Sequence, residues 1–283
     1  MSIRTVRNRH AAVRDDIGDL VTRRPLPGPG LEQLDPFLFL NHHGPQTYRP
    51  GNRGLPFGPH PHRGFETVTF ILDGVLAHRD TGGHESVIAA GGVQWMTAGS
   101  GLVHAEISPD DFKARGGALE ILQLWVNLPA RLKFTAPRYV GVQRDEIPMI
   151  AVDGATVALI AGAWRGQVGP IESLTGVVMT TLHMPAGSAL ELDAPRARSV
   201  FLYVAGGAVR VAGAPAERFT LVELNDDGDQ VAIEATRDAV LLFGHADMIG
   251  EPMVAYGPFV MNTEQEIRDA ITDYQAGRFG AMT

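Results

Sequence analysis

Two short stretches carry residues whose types and spacing could do chemistry. His60 and His62 flank a proline in PHPHRGFETVTFILDG, and His104 and Glu106 stand two apart in SGLVHAE. On a strand, residues i and i+2 point to the same face, so each pair aims its side chains together. Pro61 has no amide hydrogen and restricts His60 to extended backbone, which pre-sets the first pair at a strand end or edge. If both stretches line one cavity, three imidazoles and one carboxylate converge. Such nitrogen and oxygen donors suit Fe, Mn, Ni, Cu or Zn. Four protein ligands leave up to two positions open on an octahedral ion, which a catalytic metal needs and a closed structural site lacks. Glu66 competes with Glu106 for the fourth position. It lies about 13 Å beyond His62 along an extended strand, so Glu106 is favoured and Glu66 is expected to orient a ligand imidazole from behind.

The remaining histidines read differently. His10, His78, His84, His183 and His245 are isolated and are expected to be structural or exposed. His42 and His43 are adjacent, so on a strand they would face opposite ways, and neither is assigned as a ligand.

Elements that could position such a site are short strands. The 283-residue chain has 33 glycines and 19 prolines, and turn signals such as Asp73-Gly74, Gly82-Gly83 and Gly91-Gly92 separate apolar runs. Strands are expected over 20–26, 35–40, 67–72, 75–79, 93–96, 102–107 and 120–128, with 42–58 as loop. Spacing of this kind indicates an all-β sandwich or barrel. TVTFILDGVLAHR at 67–79 can be laid over SVFLYVAGGAVRV at 199–211, which suggests two related β domains joined near 138–148. On that overlay Leu192, Ala194 and Arg198 stand where the first half has His60, His62 and Glu66, so no metal is expected in the second half. Thr263 and Glu266 have capping-box spacing, and Ile267, Ala270, Ile271 and Tyr274 follow at helical intervals. One helix is expected over about 264–276.

Composition narrows the function classes. With no cysteine, disulfides, zinc–thiolate sites, iron–sulfur clusters and thiol nucleophiles are excluded. Net charge is −8, which disfavours direct nucleic-acid binding. Arg4, Arg7, Arg9 and Arg14 make a basic cluster, read as a solvated N-terminal face. MSIRTVRNRH lacks the apolar stretch of a secretion signal and no run approaches a membrane span, so a cytoplasmic location without membrane contact is expected.

PHPHRGFETVTFILDG, GGVQWMTAGSGLVHAE, LQLWVNLP, LDPFLFL and GPFVMNT, in this order apart from LDPFLFL near residue 35, resemble the pirin family of bicupins. The resemblance spans nearly the whole chain. It implies an all-β protein of two tandem cupin barrels. Residues 1–140 would form the N-terminal metal-binding barrel, and 141–283 a C-terminal barrel without metal, whose closing helix packs on the N-terminal domain. It implies one transition metal, iron first, with Zn, Mn, Ni, Cu or Co as alternatives, on His60, His62, His104 and Glu106. Two activities are implied. One is a quercetin 2,3-dioxygenase-type reaction, which opens a flavonol with O₂ and releases carbon monoxide. There Glu106 would be ligand, general base or both, and Phe57, Phe65, Trp95 and Met96 are candidates for an apolar wall around a small aromatic substrate. The other is an iron-bearing regulatory protein that binds a transcription factor or metabolic enzyme. Two departures concern the pocket mouth: Pro59 stands where many pirins have an acidic residue, and Asn41-His42-His43-Gly44 replaces an acidic pair.

Overall fold

A computed structural model describes residues 2–282 of the chain. Its strands gather into two compact units, neither contiguous in sequence. Where the sequence suggested one cut near 140, the histidine-bearing unit comprises Arg14–Thr22, Phe37–Arg144 and Ile249–Thr283, and the other comprises Met1–Val13, Arg23–Pro36 and Asp145–Met248. Strand pairing is the reason. The N-terminal strand Val6–Ala11 pairs antiparallel with Thr220–Leu224, so the start of the chain completes the second unit.

The histidine-bearing unit is a barrel of antiparallel strands. One sheet contains, in order, Arg138–Val142, Val93–Thr97, Phe65–Asp73, Gly117–Asn127 and Phe37–Tyr48; the other runs Phe57–His62, Leu102–Ile107, Val75–Asp80, Glu85–Ala89. Alternation along Phe65–Asp73 places Thr69 and Ile71 on one face. Ile71 joins Leu76, Ile88, Leu119 and Ile121 in the apolar plug of the barrel, while Thr69 reaches the polar centre described below. The segment expected as loop over 42–58 is strand as far as Tyr48, and strand again from Phe57. Gly44 makes this feasible. It has φ +84, and a Cβ there would lie 2.3 Å from the Leu119 carbonyl oxygen. A bare backbone therefore passes through a register shift that a side chain would block.

The second unit holds its own sheet, with Thr220–Leu224, Arg198–Val211, Gln230–Asp247, Val178–Met184, Ala155–Ala161 and Met149–Val152 as successive neighbours. Its core includes Leu182, Leu192, Ala194, Val200, Leu202 and Val204. Thus Val200 and Leu202 face this core, whereas in the first barrel the inward set is Thr69 and Ile71. The overlay of 67–79 on 199–211 is out of phase by one residue, and a one-residue slip exchanges the two faces of a strand. Arg198, half-buried, lies near Asp247 at 3.4 Å.

The basic N-terminal cluster is not uniformly solvated. Arg7 and Arg14 side chains are 67% and 63% exposed, but Arg4 is 1% exposed. Its guanidinium reaches between the loops that carry Ala194 and Asn225.

The helix Glu264–Gln275 belongs to the histidine-bearing unit, where Ile267 and Ala270 pack with Val103, Phe259, Met261 and Phe279. Both halves of its capping box form: Glu266 N–H donates to Thr263 Oγ1 at 3.2 Å, and Thr263 N–H donates to Glu266 Oε2 at 2.9 Å. Thr263→Ala removes one acceptor from the helix start and is expected to cost about 1 kcal/mol, read as a lower urea midpoint with unchanged slope. Among the described residues no helix is long and apolar enough to cross a membrane.

Candidate metal centre

Register brings three of the predicted ligands, the histidines, together. Phe57–His62 pairs antiparallel with Leu102–Ile107, with His60 opposite His104 and His62 opposite Leu102. Cross-strand partners share a face, and so do i and i+2, so all three imidazoles point the same way. Their candidate ligand nitrogens lie within 4.8 Å of one another. Ring centroids are 4.4 Å apart for His60 and His104, 4.8 Å for His60 and His62, and 4.9 Å for His62 and His104.

Hydrogen bonds fix two tautomers. His60 Nδ1–H donates to the Gly58 carbonyl at 2.7 Å, and His62 Nδ1–H donates to the Pro258 carbonyl at 3.3 Å. A carbonyl only accepts, so both Nε2 atoms keep their lone pairs. Burial, reinforced by the neighbouring His60, lowers the His62 pKa to about 3. Burial again, with His62, His60 and His78 nearby, holds His104 well below the ordinary imidazole value. Both rings are therefore neutral donors at neutral pH.

His104 supplies the test of fit. It is 1% exposed, and neither ring nitrogen has a hydrogen-bond partner. Leaving a buried polar atom unpaired costs about 1–3 kcal/mol. A cation shared with Nε2 of His60 and His62 gives one of the two His104 nitrogens a partner, so the three residues fit a transition metal with imidazole affinity.

Glu106 is two residues beyond His104 on the same strand, and its carboxylate has its own hydrogen-bond partners. The pairing register shifts between His104 and Glu106, which lies opposite Phe57 on one side and His78 on the other. Its Oε1 accepts from Thr69 Oγ1 at 2.7 Å and its Oε2 from Gln123 Nε2 at 2.5 Å. Glu66 accepts from Thr97 Oγ1 at 2.6 Å, while the carbonyls of Gly58 and Pro258 orient the rings of His60 and His62. Burial pushes the Glu66 carboxyl pKa upward, against the Thr97 hydrogen bond.

The four residues expected as an apolar wall have different surroundings. Phe65 is buried with its ring 5.0 Å from that of His62. Phe57 instead meets His43 at 5.2 Å. Trp95 is buried between the strand neighbours Val68 and Val140, and Met96 packs with Ala98, Leu102 and Tyr139. Sequence reasoning missed Trp125, whose ring lies 5.5 Å from His62, 4.5 Å from Phe65 and 4.6 Å from Phe39. The signal was available in LQLWVNLP: Gln123 and Trp125 are i and i+2 on one strand, so the partner of Glu106 and the aromatic wall share a face.

His78, expected to be structural or exposed, is buried and hydrogen-bonded and lies next to His104. Its ring stacks on Tyr139 at 3.9 Å, lies 5.4 Å from His104, and its Nε2 bonds Asp80 at 2.9 Å. Burial opposes ionisation of Asp80, but hydrogen bonds from His78 and His84 prevail and lower its pKa to about 2. His42 bonds Glu120 at 2.8 Å and His43 bonds Thr22 at 2.8 Å.

With this geometry in view, the relatives are informative. The Pirin family model matches residues 19–126 and the Pirin C-terminal cupin domain matches 179–280. A pirin-like protein of Caulobacter vibrioides is 41% identical over 268 residues, 94% of each chain. Human pirin is 34% identical over 264 residues, 91% of this chain and 87% of its own. A crystal structure of quercetin 2,3-dioxygenase from Acinetobacter baumannii matches over all of both chains with TM-score 0.93 and 33% identity. Two β-barrels in tandem, a closing helix and a histidine cluster in the first barrel agree with these matches, and the chain belongs to the pirin family, built from two cupin barrels.

Proposed function

We propose that this protein is a metal-dependent dioxygenase of the quercetin 2,3-dioxygenase type, with iron as the first candidate metal and a flavonol or related flat aromatic as substrate. The observation that carries the reading is the trio His60, His62 and His104, the last two buried, with unpartnered nitrogens on His104, and the Glu106 carboxylate two residues beyond His104 on the same strand. When bound, a transition metal supplies open coordination positions and a route for electrons between an electron-rich ring and O₂. The likeness to the Acinetobacter baumannii enzyme supports the substrate class.

The chain's own residues then have distinct tasks. His60, His62 and His104 would hold the metal through their ring nitrogens. Glu106 takes the proton of the flavonol 3-hydroxyl on a carboxylate oxygen, which makes the ring electron-rich. Thr69 and Gln123 hold that carboxylate at fixed orientation through 2.7 and 2.5 Å hydrogen bonds. Trp125, partly buried against His62, offers a flat apolar surface for the substrate ring, with Phe65 packed against it. Both atoms of O₂ enter the product, and the ring carbon bearing the hydroxyl leaves as carbon monoxide.

The test is iron-loaded protein with quercetin in air-saturated buffer, following loss of flavonol absorbance and release of carbon monoxide. Glu106→Gln keeps a hydrogen-bonding oxygen but has no basic oxygen at neutral pH. It is expected to lower kcat by roughly 10²–10⁴-fold, as loss of a general base does, with metal content reduced far less. No turnover above that of free iron, across several metals, would favour the regulatory reading in which the metal-bearing protein binds a partner.

A further inference from the structure

We propose that residues 258–261, near the end of the chain, are a positioning element for the His62 imidazole, and that Lys133 and Gly64 hold them in place. The metal-affinity part of this inference rests on the metal-centre reading above. His60 is oriented by a carbonyl of its own strand, two residues away. The acceptor for His62 is instead the Pro258 carbonyl, 196 residues further along the chain. His62 is 4% exposed, so water does not readily replace that acceptor.

Several contacts enforce this approach. Arg63 N–H donates to the same Pro258 carbonyl at 3.4 Å, and Val260 N–H donates to the Arg63 carbonyl at 3.1 Å, making a short parallel bridge. Gly64 has φ +87, and a Cβ there would lie 2.0 Å from the Val260 oxygen and 2.8 Å from Met261 Sδ. Only a bare backbone lets the two segments touch at this distance. Lys133, 1% exposed, then ties them: its ammonium donates to Gly64 O at 2.9 Å, Val260 O at 2.9 Å and Asn127 Oδ1 at 2.8 Å. Burial lowers the Lys133 pKa to about 8, so the ammonium persists at neutral pH.

A second clamp lies one layer out. Arg63 donates to Ser100 O at 2.7 Å and to Asp273 Oδ2 at 2.9 Å, and its guanidinium sits 4.6 Å from the Phe279 ring. Phe279 in turn fills the space over Gly101, where a Cβ would meet its ring at 2.5 Å. The residue after the His62 ligand is thus held by the closing helix and by the tail beyond it. With this end of the chain displaced, His62 loses its Nδ1–H acceptor, and the ring is free to rotate and to exchange tautomers.

The experiment uses the full chain with Lys133→Met and Phe279→Ala. In metal-free protein, ¹⁵N chemical shifts of the His62 ring report the tautomer. Wild type is expected to be in the Nδ1–H form, and Lys133→Met is expected to populate the Nε2–H form. In titrations with Ni²⁺, Lys133→Met is expected to bind about 10–100-fold more weakly, the usual effect of removing a group that orients a ligand. Phe279→Ala, remote from the metal, is expected to weaken Ni²⁺ about tenfold, with a shifted visible spectrum in the Co²⁺-loaded form. If Lys133→Met does not fold, Phe279→Ala decides by the same readouts. A folded variant with wild-type His62 ring shifts, Ni²⁺ affinity within twofold and an unchanged Co²⁺ spectrum overturns the proposal. A wild type that shows the fixed tautomer but takes no metal supports the positioning and refutes the metal centre.

Discussion

Replacing His104 by leucine is expected to abolish stoichiometric metal while leaving both barrels folded. Structural zinc sites of four ligands are worth about 10–16 kcal/mol, so one imidazole contributes roughly 3 kcal/mol, or at least about a hundredfold in affinity. His104 stands opposite His60 and closes the group, and no other imidazole is placed to substitute: His78 is committed to Asp80 and stacked on Tyr139. The fold should respond in the opposite sense. In metal-free wild type, two buried nitrogens of His104 lack partners, each a penalty of about 1–3 kcal/mol. Leucine fills similar volume with no polar atom, so the metal-free variant is expected to melt no lower than metal-free wild type. Excess Ni²⁺ stabilises wild type by mass action and leaves the variant unmoved. Elemental analysis and circular-dichroism melts with and without Ni²⁺ check both halves. Metal content equal to wild type would remove His104 from the ligand set.

Arg4→Met is expected to be the most damaging single substitution away from the metal centre. The Arg4 guanidinium donates to Ala194 O and Asn225 O at 2.9 Å, to Pro195 O at 2.5 Å and to Asp226 Oδ1 at 2.9 Å. Methionine keeps the stem but leaves these oxygens without their donor. Breaking a buried charged network in this way costs about 3–5 kcal/mol, although the exposed side of Asp226 recovers some of this in water. In a unit of this size that is roughly 10 °C in Tm. Arg7→Ala is the contrast: its side chain is 67% exposed, and loss of its 3.5 Å contact with Glu223 should change stability by less than about 0.5 kcal/mol. Calorimetry of the two variants decides; equal Tm values would contradict the burial of Arg4.

The two arginines also illustrate what could be read and what could not. Both lie in a polar N-terminal stretch without apolar alternation, and nothing local separates them. Arg4 is buried because loops from residues 194–195 and 225–226 close over it, a fact of long-range packing. The strand Val6–Ala11 was missed for the same cause: it is an edge strand, mostly exposed, so it carries no apolar signal.

By itself, the sequence determined the features that depend on short range. Strand alternation placed His60 with His62 on one face, the absence of cysteine removed thiolate chemistry, and Thr263 with Glu266 marked the helix start. Family motifs added two tandem barrels. Tertiary structure decided everything that depends on register and on segments distant in sequence. The partners of the Glu106 carboxylate, Thr69 and Gln123, come from the facing sheet, which strand alternation alone does not reveal. The acceptor for His62 came from Pro258, and the tie between them from Lys133, because the chain end folds back into the first barrel. Periodicity reports which way a side chain points from its own backbone; what it meets there is set by loop closures and pairings that no local pattern encodes.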